Sequence, residues 1–366
     1  MKEIDMLLPS YPCTEDLWDR LAAETRPIVC YGMGNGADKL IARLDKYNVT
    51  IADFFASDGF VRGHSFHGKR VLSFSEIKEK YSDFIILLSF ASNRKEVLDM
   101  LCDIDSKHEM LIPDMPVAGE EYFDREFFND HYNEIMSAYD SLCDDKSKAT
   151  LATVIKYKLT GSMKYLSETA TREELYSLFE KENIKTVIDA GAYNGDTLRE
   201  AKTYFSNLRS AVAIEPDTRN YKKLLRYIEA ENDISIKAYN AAAWSENTVG
   251  SFFSSGNRNS TASATASFEH KESDVSLVTI DSISPSNVDY IKYDVEGAEL
   301  PALVGSEETI RRTKPALLVS AYHRSCDVFY LTNYLRETYP FYKIYIRRLC
   351  CVPAWELDII LIPDEK

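Results

Sequence analysis

Two stretches of the 366-residue chain alternate short apolar runs with amphipathic segments. In residues 27–90, the runs PIVCY, VTIADFF and FIILLSF are separated by DKLIARLDKY and SFSEIKEKYSD, whose apolar residues recur at helical spacing. In residues 186–324, the runs are TVIDA, SAVAI, VDYIKYD and KPALLVSAYHR. Strands that alternate with helices predict parallel sheets covered by helices. We therefore expect an α/β fold with two Rossmann-like domains.

The remaining segments refine this prediction. Residues 113–180 have helical periodicity, which predicts a helical connector between the domains 1–112 and 181–366. PFYKIYIRRL and AWELDIILIP, near the end of the chain, are strand-like with no helix between them and predict an antiparallel β-hairpin. Residues 250–274 are rich in Ser, Thr, Gly and Asn and predict a mobile loop or a β excursion. We also expect one helix from Ala298 to Thr309, and a strand that ends at His323.

Charge and composition exclude several classes of partner. Lys and Arg total 43 against 58 Asp and Glu, which gives a net charge of −15. A surface this acidic repels phosphate backbones, so we expect no nucleic-acid partner. The chain has no apolar run near the roughly 20 residues of a membrane span and no signal-peptide pattern at its N-terminus, so we expect a cytoplasmic protein without a membrane partner. Seven cysteines without CxxC spacing indicate reduced thiols and predict no metal site.

The first glycine-rich turn follows PIVCY. Gly32, Gly34 and Gly36 form G-x-G-x-G, which departs from the dinucleotide pattern G-x-G-x-x-G. Asp58 lies at about the distance expected for a ribose-binding acid, roughly 20 residues on. The turn therefore has two interpretations: a second nucleotide site on a helix N-terminus, or glycines that only permit a tight strand-to-helix turn.

The second glycine-rich turn carries a stronger signal. Asp189 and Asp196 flank a loop that contains Gly191 and Gly195, and Glu215 ends the following strand. A carboxylate at that position accepts hydrogen bonds from ribose hydroxyls, and the glycines let the backbone approach a ligand. Two flanking carboxylates would repel a pyrophosphate and suit a ligand with positive charge. The pattern therefore favours S-adenosylmethionine over NAD, and a mostly parallel sheet that ends in a hairpin is typical of class I methyltransferases.

Further polar groups follow the other strands of the second unit. Asp294 and Glu296 come directly after VDYIKYD, and His323 follows KPALLVSAY. In open α/β sheets, ligands bind outside the carboxyl ends of the strands. We therefore expect Asp189, Glu215, Asp294 and His323 to meet at one edge of the sheet.

Several motifs together resemble one known family. VIDAGAYNGDT, AIEPD, NAAAW, IKYDVEGAELPALVGSEETI, KPALLVSAYHR and IYIRR occur in the order found in the FkbM family of S-adenosylmethionine-dependent methyltransferases. The resemblance covers the chain from about Lys185 and implies O-methylation of a hydroxyl on a sugar, glycan or secondary metabolite (EC 2.1.1.-). Residues 1–112 lie outside it and are similar to accessory Rossmann-type units of sugar-modifying enzymes.

The resemblance also implies residue roles. Asp189, Gly191, Ala192, Asn194, Gly195 and Asp196 would contact the methionine moiety, Glu215 with Pro216 the ribose, and Asn240 with Ala241 the adenine, while Asp294 completes the cofactor site. An alcohol is a weak nucleophile until it is deprotonated, so a general base is expected. His323 is the first candidate, because an imidazole pKa of about 6.5 suits this role. Asp294 and Glu296 are the competing candidates, and they could instead orient the substrate or ligate a metal.

Two other functions remain open at this point. One is a nucleotide or nucleotide-sugar sensor without turnover, and the other is an NAD-dependent oxidoreductase that uses the first glycine turn. The acceptor expected for the methyltransferase is a small molecule or a carbohydrate. The sequence does not determine the acceptor's identity or the oligomeric state, and a homo-oligomer is compatible with it.

Overall fold

The structure is a computed structural model that describes residues 7–61, 63–253, 261–263 and 272–364. Its first sheet contains five parallel strands in the order β5-β2-β1-β6-β7. The strands and the small β3–β4 ribbon are β1 (Ile28–Tyr31), β2 (Asp53–Ala56), β3 (Ser65–Phe66), β4 (Lys69–Arg70), β5 (Leu72–Ser73), β6 (Ile85–Leu88) and β7 (Met110–Leu111). The helices of this part are α1 (Leu17–Ala22), α2 (Asn35–Asp45), α3 (Phe74–Lys80) and α4 (Lys95–Asp105). Every residue of β1, β2 and β6 is buried, as expected for parallel strands covered on both faces.

The connector is helical, as its periodicity predicts. It contains α5 (Arg125–Asp130), α6 (Tyr132–Ser141), α7 (Asp145–Thr160) and α8 (Arg172–Tyr176). Helix α7 packs against the last sheet of the chain, and the Arg347 guanidinium of that sheet pairs with Asp144, the N-cap residue of α7. On its other side, Lys158 of α7 forms a buried ion pair of 2.6 Å with Asp114. The connector therefore packs tightly against the C-terminal part of the chain.

The second large sheet has seven strands in the order β10-β9-β8-β15-β16-β18-β17. Strand β18 is antiparallel to both its neighbours, so the predicted hairpin is confirmed. The strands are β8 (Thr186–Ala190), β9 (Ser210–Ile214), β10 (Ser235–Tyr239), β15 (Tyr290–Tyr293), β16 (Ala316–Ser320), β17 (Tyr342–Arg348) and β18 (Leu357–Pro363). The helices that cover this sheet are α9 (Asp196–Tyr204), α10 (Thr218–Ala230), α11 (Ile280–Ile283), α12 (Glu299–Val304), α13 (Glu307–Thr313) and α14 (Asp327–Thr338). This strand order is that of a class I methyltransferase fold.

A four-stranded sheet extends from the second unit. It contains β11 (Ala241–Ala243), β12 (Thr248–Phe253), β13 (Thr261–Ser263) and β14 (Glu272–Val278), in the order β11-β14-β12-β13. Of the two predictions for residues 250–274, the β excursion is therefore present where the structure describes this segment. Residues 254–260 and 264–271 of the same prediction lie outside the described residues.

Two expected elements differ from the structure. The single helix expected from Ala298 to Thr309 is two helices, α12 and α13, with Gly305 between them. A Cβ on Gly305 would lie 1.9 Å from the carbonyl oxygen of Trp244, so the chain turns where it touches the exit of β11. Strand β16 ends at Ser320 rather than at His323, which lies in the turn that follows.

The two units meet at the loop after β6. Ser92 and Val352 exchange backbone hydrogen bonds, with Ser92 N donating to Val352 O over 2.8 Å and Val352 N donating to Ser92 O over 3.0 Å. Val352 belongs to the connection between β17 and β18. The N-terminal sheet therefore contacts the carboxyl edge of the C-terminal sheet. No helix of the described residues is both long and apolar enough to cross a membrane.

Candidate functional site

A cavity of about 490 Å³ lies at the carboxyl edge of the seven-stranded sheet. Gly191, Glu215 and Asp294, which follow β8, β9 and β15, all line it. Ligand cavities usually enclose about 300–1,000 Å³, so the space suits a small molecule. The strand ends therefore meet around one cavity, as their order along the chain predicts.

The turn after β8 is built around Gly191. This residue has φ +89°, and a Cβ on it would lie 1.8 Å from the carbonyl oxygen of Asp294, so only glycine fits. The backbone N–H groups of Gly191 and Ala192 both donate to the carbonyl oxygen of Ile214, over 2.9 and 3.0 Å. The turn is thus fixed against the ends of both neighbouring strands, β9 and β15.

Glu215 connects this turn to the next strand. Its carboxylate accepts hydrogen bonds from Tyr193 N and Asp217 N, both over 2.8 Å, and the residue is 5% exposed. Burial raises the pKa of Glu215 to about 8, although the two backbone N–H groups act in the opposite direction. Each carboxylate oxygen has a second lone pair, so Glu215 can accept further hydrogen bonds from a ligand.

A buried lysine lies among three carboxylates beneath the cavity. Lys292 on β15 is opposite Asp189 on β8, and its Nζ lies 3.0 Å from Asp294 Oδ2. Burial raises the pKa of Asp189 to about 6, against the charge of Lys292, and Asp189 Oδ1 has no hydrogen-bond partner among the described residues. Burial also raises the pKa of Asp358 to about 7. For Asp294, the charges of Lys292 and His323 outweigh burial and hold the pKa below its usual value.

Glu296 reaches the cavity from a strained turn. Glu296 and Gly297 have φ of +54° and +95°, and a left-handed backbone is uncommon for a non-glycine residue. Such strain is frequent at functional sites. The side chain of Glu296 is 25% exposed, and burial raises its pKa to about 8, while the charge of His323 lowers it. Glu296 therefore combines access to the cavity with a pKa near neutrality.

His323 lies behind this turn rather than in the cavity. It has no exposed surface, and its ring nitrogens lie 3.0 Å from Glu299 Oε1, 3.5 Å from Glu296 Oε2 and 3.6 Å from Asp294 Oδ1. Burial alone would lower the pKa of His323, but these three carboxylates outweigh it and raise the pKa to about 10. The ring is therefore an imidazolium at neutral pH. Both its position and its charge disfavour His323 as the general base, contrary to our expectation from the sequence.

His323 also belongs to a compact group with Glu299 and Asp327. One ligand atom from each of these buried residues lies within 4.8 Å of the others, a spacing that a metal ion could use. However, Asp327 accepts a hydrogen bond from Arg324 N over 2.8 Å, and Glu299 accepts one from Val295 N over 2.9 Å. His323 Nδ1 lies 3.0 Å from Glu299 Oε1, so these contacts already hold the three side chains together. We therefore interpret the group as the internal support of the Glu296 turn.

The predicted cofactor residues fall into two sets. Gly191, Asp196, Glu215, Pro216 and Asp294 line the cavity. The others do not line it, and they are Asp189, Ala192, Asn194, Gly195, Asn240 and Ala241. Two of them support the loops instead: Asn194 accepts a hydrogen bond from the Arg199 guanidinium over 3.0 Å, and Asn240 donates to the carbonyl oxygens of Glu215 and Pro216.

Sequence reasoning missed several residues that line the cavity. Ala242 and Ala243 do so, although the same NAAAW run directed the prediction to Asn240 and Ala241, one or two residues earlier. Tyr322 and Trp355 line it beside the hairpin, and the adjacency of Tyr322 to His323 was a usable signal. Ser92 and Asn93, in the loop after β6, belong to no local motif that could have identified them.

The first glycine turn has a structural explanation. A Cβ on Gly36 would lie 2.1 Å from the carbonyl oxygen of Ser89, and one on Gly32 would lie 2.6 Å from the Ser89 hydroxyl. Gly34, with φ +121°, has open space around its Cβ position. Asp58 accepts hydrogen bonds from Phe74 N and Ser75 Oγ at the start of α3. These contacts explain the residues without a nucleotide, and a second nucleotide site stays a prediction.

Comparison with known proteins agrees with this geometry. Residues 189–338 match the family model of the methyltransferase FkbM domain. The fold is similar to the crystal structure of methyltransferase FkbM from Methylobacillus flagellatus KT, with a TM-score of 0.69 and 20% identity over 98% of this chain and 95% of that chain. At that identity the likeness concerns the fold alone. No curated protein sequence matches the chain.

Two further solved structures resemble only part of the chain. An rRNA methylase from Streptococcus thermophilus has a TM-score of 0.36 and 9% identity over 54% of this chain and 100% of that chain. Aeropyrum pernix fibrillarin with natively bound S-adenosyl-L-methionine has a TM-score of 0.33 and 12% identity over 50% of this chain and 69% of that chain. Structural similarity at this level supports no inference about function. The family match is the informative one: residues 189–338 of this chain match the methyltransferase FkbM domain.

Proposed function

We propose that this chain is an S-adenosylmethionine-dependent O-methyltransferase that acts on a hydroxyl of a small molecule or carbohydrate. The observation that carries the proposal is the composition of one cavity. Glu215 and the glycine turn line it together with Glu296, a carboxylate whose pKa of about 8 suits proton transfer. A ribose-binding acid and a candidate base thus lie around the same space.

The residues at this end of the cavity fit the proposed cofactor. Asp196, in the first turn of α9, and the partnerless oxygen of Asp189 nearby provide negative charge for a cationic ligand. Glu215 retains lone pairs for ribose hydroxyls, and Ala242 with Ala243 offers an apolar surface to the adenine. When bound, S-adenosylmethionine supplies a methyl group on a positively charged sulfur.

Glu296 is the proposed general base. In its ionised form it would accept the proton of the acceptor hydroxyl, whose oxygen would take up the methyl group that the cofactor supplies. His323 holds Glu296 through its positive charge, 3.5 Å away, and favours the ionised carboxylate. Asp294, kept ionised by Lys292, accepts a hydrogen bond from Tyr322 over 3.2 Å and thereby orients that ring at the cavity.

The proposed domain organisation follows the sequence divisions. Residues 1–112 form an accessory unit, residues 113–180 the connector and residues 181–366 the methyltransferase domain. The accessory unit contributes Ser92 and Asn93 to the cavity wall. Its proposed role is therefore to complete the acceptor side of the site.

A thermal-shift experiment tests this function. S-adenosylmethionine and S-adenosylhomocysteine should raise the melting temperature, whereas NAD and a UDP-sugar should not. Stabilisation by NAD alone would support the oxidoreductase alternative. Stabilisation by the UDP-sugar alone would support a sensor, and either result would overturn the proposal.

A further inference from the structure

Two aromatic rings lie side by side at the cavity, on the hairpin side. The rings of Tyr322 and Trp355 are close to parallel, at an angle of 23° with centroids 6.4 Å apart, and both residues line the cavity. The Trp355 indole N–H is buried and has no hydrogen-bond partner among the described residues. A buried indole N–H normally has an acceptor, so Trp355 retains an unmet hydrogen bond beside the cavity.

The charges around the cavity are strongly unbalanced. Among the described residues seven carboxyl groups line it, and they are Asp196, Glu200, Glu215, Asp294, Glu296, Glu356 and Asp358. Burial raises the pKa of Glu215 and Glu296 to about 8 and that of Asp358 to about 7, so these three are partly protonated at neutral pH, but acidic groups still outnumber basic ones. In the part of the chain that the structure describes, the cationic side chains that line it are Arg172 and Lys292, and each already faces a carboxylate. Arg172 pairs with Glu200 at 2.6 Å and lies 3.9 Å from Glu356, and Lys292 pairs with Asp294 at 3.0 Å.

This imbalance matters for the choice of acceptor. A phosphate in the cavity would lie among carboxylates in a partly desolvated space, where like charges repel strongly. Among the described residues that line the cavity, it would find no lysine or arginine that is not already paired with a lining carboxylate. A polyol, in contrast, can donate hydrogen bonds from its uncharged hydroxyl groups to the carboxylates and pack its C–H groups against the indole ring.

From these observations, and resting on the proposed function, we infer that the methyl acceptor is an uncharged polyol that stacks on Trp355. Its hydroxyls are directed to Glu356 and Asp358, and it enters without a phosphate or nucleotide group. This narrows the acceptor from sugars in general to free or glycosidically linked sugars, and it excludes nucleotide-activated and phosphorylated ones.

Indole resonances provide a direct test, because the chain has three tryptophans. In the full-length protein saturated with S-adenosylhomocysteine, the Trp355 indole N–H resonance is assigned with a Trp355→Phe variant, with Trp244→Phe as the matched control. D-glucose and glucose 6-phosphate are then titrated at equal concentrations. We expect glucose to shift the Trp355 resonance and glucose 6-phosphate to leave it in place. We also expect Trp355→Phe to weaken glucose binding at least threefold, with S-adenosylhomocysteine binding unchanged.

The other outcomes are each informative. A Trp355 resonance that moves as much with glucose 6-phosphate as with glucose overturns the inference, and so does a resonance that moves with neither sugar. Failure of S-adenosylhomocysteine to stabilise the wild-type protein overturns the proposed function instead. If Trp355→Phe does not fold, the wild-type titration still decides, with the resonance assigned by elimination through Trp18→Phe and Trp244→Phe.

Discussion

The imidazole Nε2 of His323 lies 3.5 Å from Oε2 of Glu296, and of these two side chains only Glu296 faces the cavity. The ring of His323 is enclosed and carries a proton at neutral pH because three carboxylates surround it. Under the proposed function, Glu296 would contact the acceptor, and His323 would set the charge and position of Glu296.

Replacement of Glu296 by glutamine should reduce turnover strongly. The change keeps the size of the side chain but removes its basic oxygen, and general-base catalysis is worth roughly 10²–10⁴-fold. We expect kcat to fall by that order while calorimetry finds S-adenosylhomocysteine affinity little changed. Glu308→Gln, an exposed glutamate on the nearby helix α13, is the matched control. Near-normal turnover in Glu296→Gln would move the role to Asp294.

The pH dependence of the wild-type rate distinguishes Glu296 from His323. Burial raises the pKa of Glu296 to about 8, with Asp294, Glu299 and Glu215 acting in the same direction and His323 against them. The active form is the ionised one, so kcat/KM should rise about tenfold per pH unit below that value and level off above it. A profile that levels off near pH 6.5 would instead identify an ordinary histidine as the base.

Replacement of His323 by glutamine tests the supporting role. Loss of the imidazolium removes the charge that lowers the pKa of Glu296, so the pH–rate profile should move to higher pH. An NMR titration of the wild-type histidines should find one group that titrates near pH 10. An unchanged pH–rate profile in a folded His323→Gln enzyme would contradict this role, and a His323 resonance that titrates near 6.5 would contradict it independently.

Binding of the cofactor product should release a proton from Glu215. Its pKa of about 8 means that the carboxyl is partly protonated at neutral pH, and hydrogen bonds from ribose hydroxyls favour the ionised form. The apparent enthalpy of S-adenosylhomocysteine binding at pH 7.5 should therefore differ between phosphate and Tris buffers. Glu215→Gln should abolish the difference and cost about 1.5–3 kcal/mol of binding free energy. Glu229→Gln, on the exposed side of α10, should behave as wild type.

A methyl group on Gly191 should disrupt the site. Its Cβ would meet the Asp294 carbonyl oxygen at 1.8 Å from a backbone φ of +89°, so the loop or the end of β15 must move. We expect Gly191→Ala to lower the free energy of unfolding by about 1–3 kcal/mol and to weaken the binding of S-adenosylhomocysteine. Gly59→Ala, where the Cβ has open space and φ is unstrained, should be nearly neutral in both measurements.

The free energy of unfolding should fall as the pH rises from about 5 to 9. Buried carboxyls have pKa values above their unfolded values, at about 6 for Asp189, about 7 for Asp327 and Asp358, and about 8 for Glu215 and Glu296. The folded chain thus keeps protons that the unfolded chain has released, and stability is lost as pH rises through the folded values. His323 acts in the same direction between pH 6.5 and about 10. Urea unfolding across this range checks the slope, and a rise in stability would contradict the assignments.

Local sequence patterns were sufficient to predict the two parallel sheets and the carboxyl edge at which the cavity lies. Buried runs such as TVIDA and SAVAI became β8 and β9, and Gly191 of the turn between them lines the cavity. These features depend on periodicity and chain order, which a sequence displays directly.

The role of His323 could not be predicted in the same way. An imidazole pKa depends on which carboxylates surround the ring, and Glu299, Glu296 and Asp294 reach it only because the chain turns left-handed at Glu296 and Gly297. The break at Gly305 likewise reflects a contact with Trp244, some 60 residues away in the chain. Contacts between distant residues decided both features, and no local motif encodes them.

The backbone hydrogen bonds between Ser92 and Val352 determine which substitutions the loop after β6 can accept. Both hydrogen bonds use main-chain atoms, so this contact between the two units does not depend on which side chains occupy positions 91–93. It excludes only proline at position 92, where an N–H must donate. Under the proposed function, substitutions at these three positions would alter which acceptor is bound, while the cofactor side of the cavity, built from the other sheet, would keep its geometry.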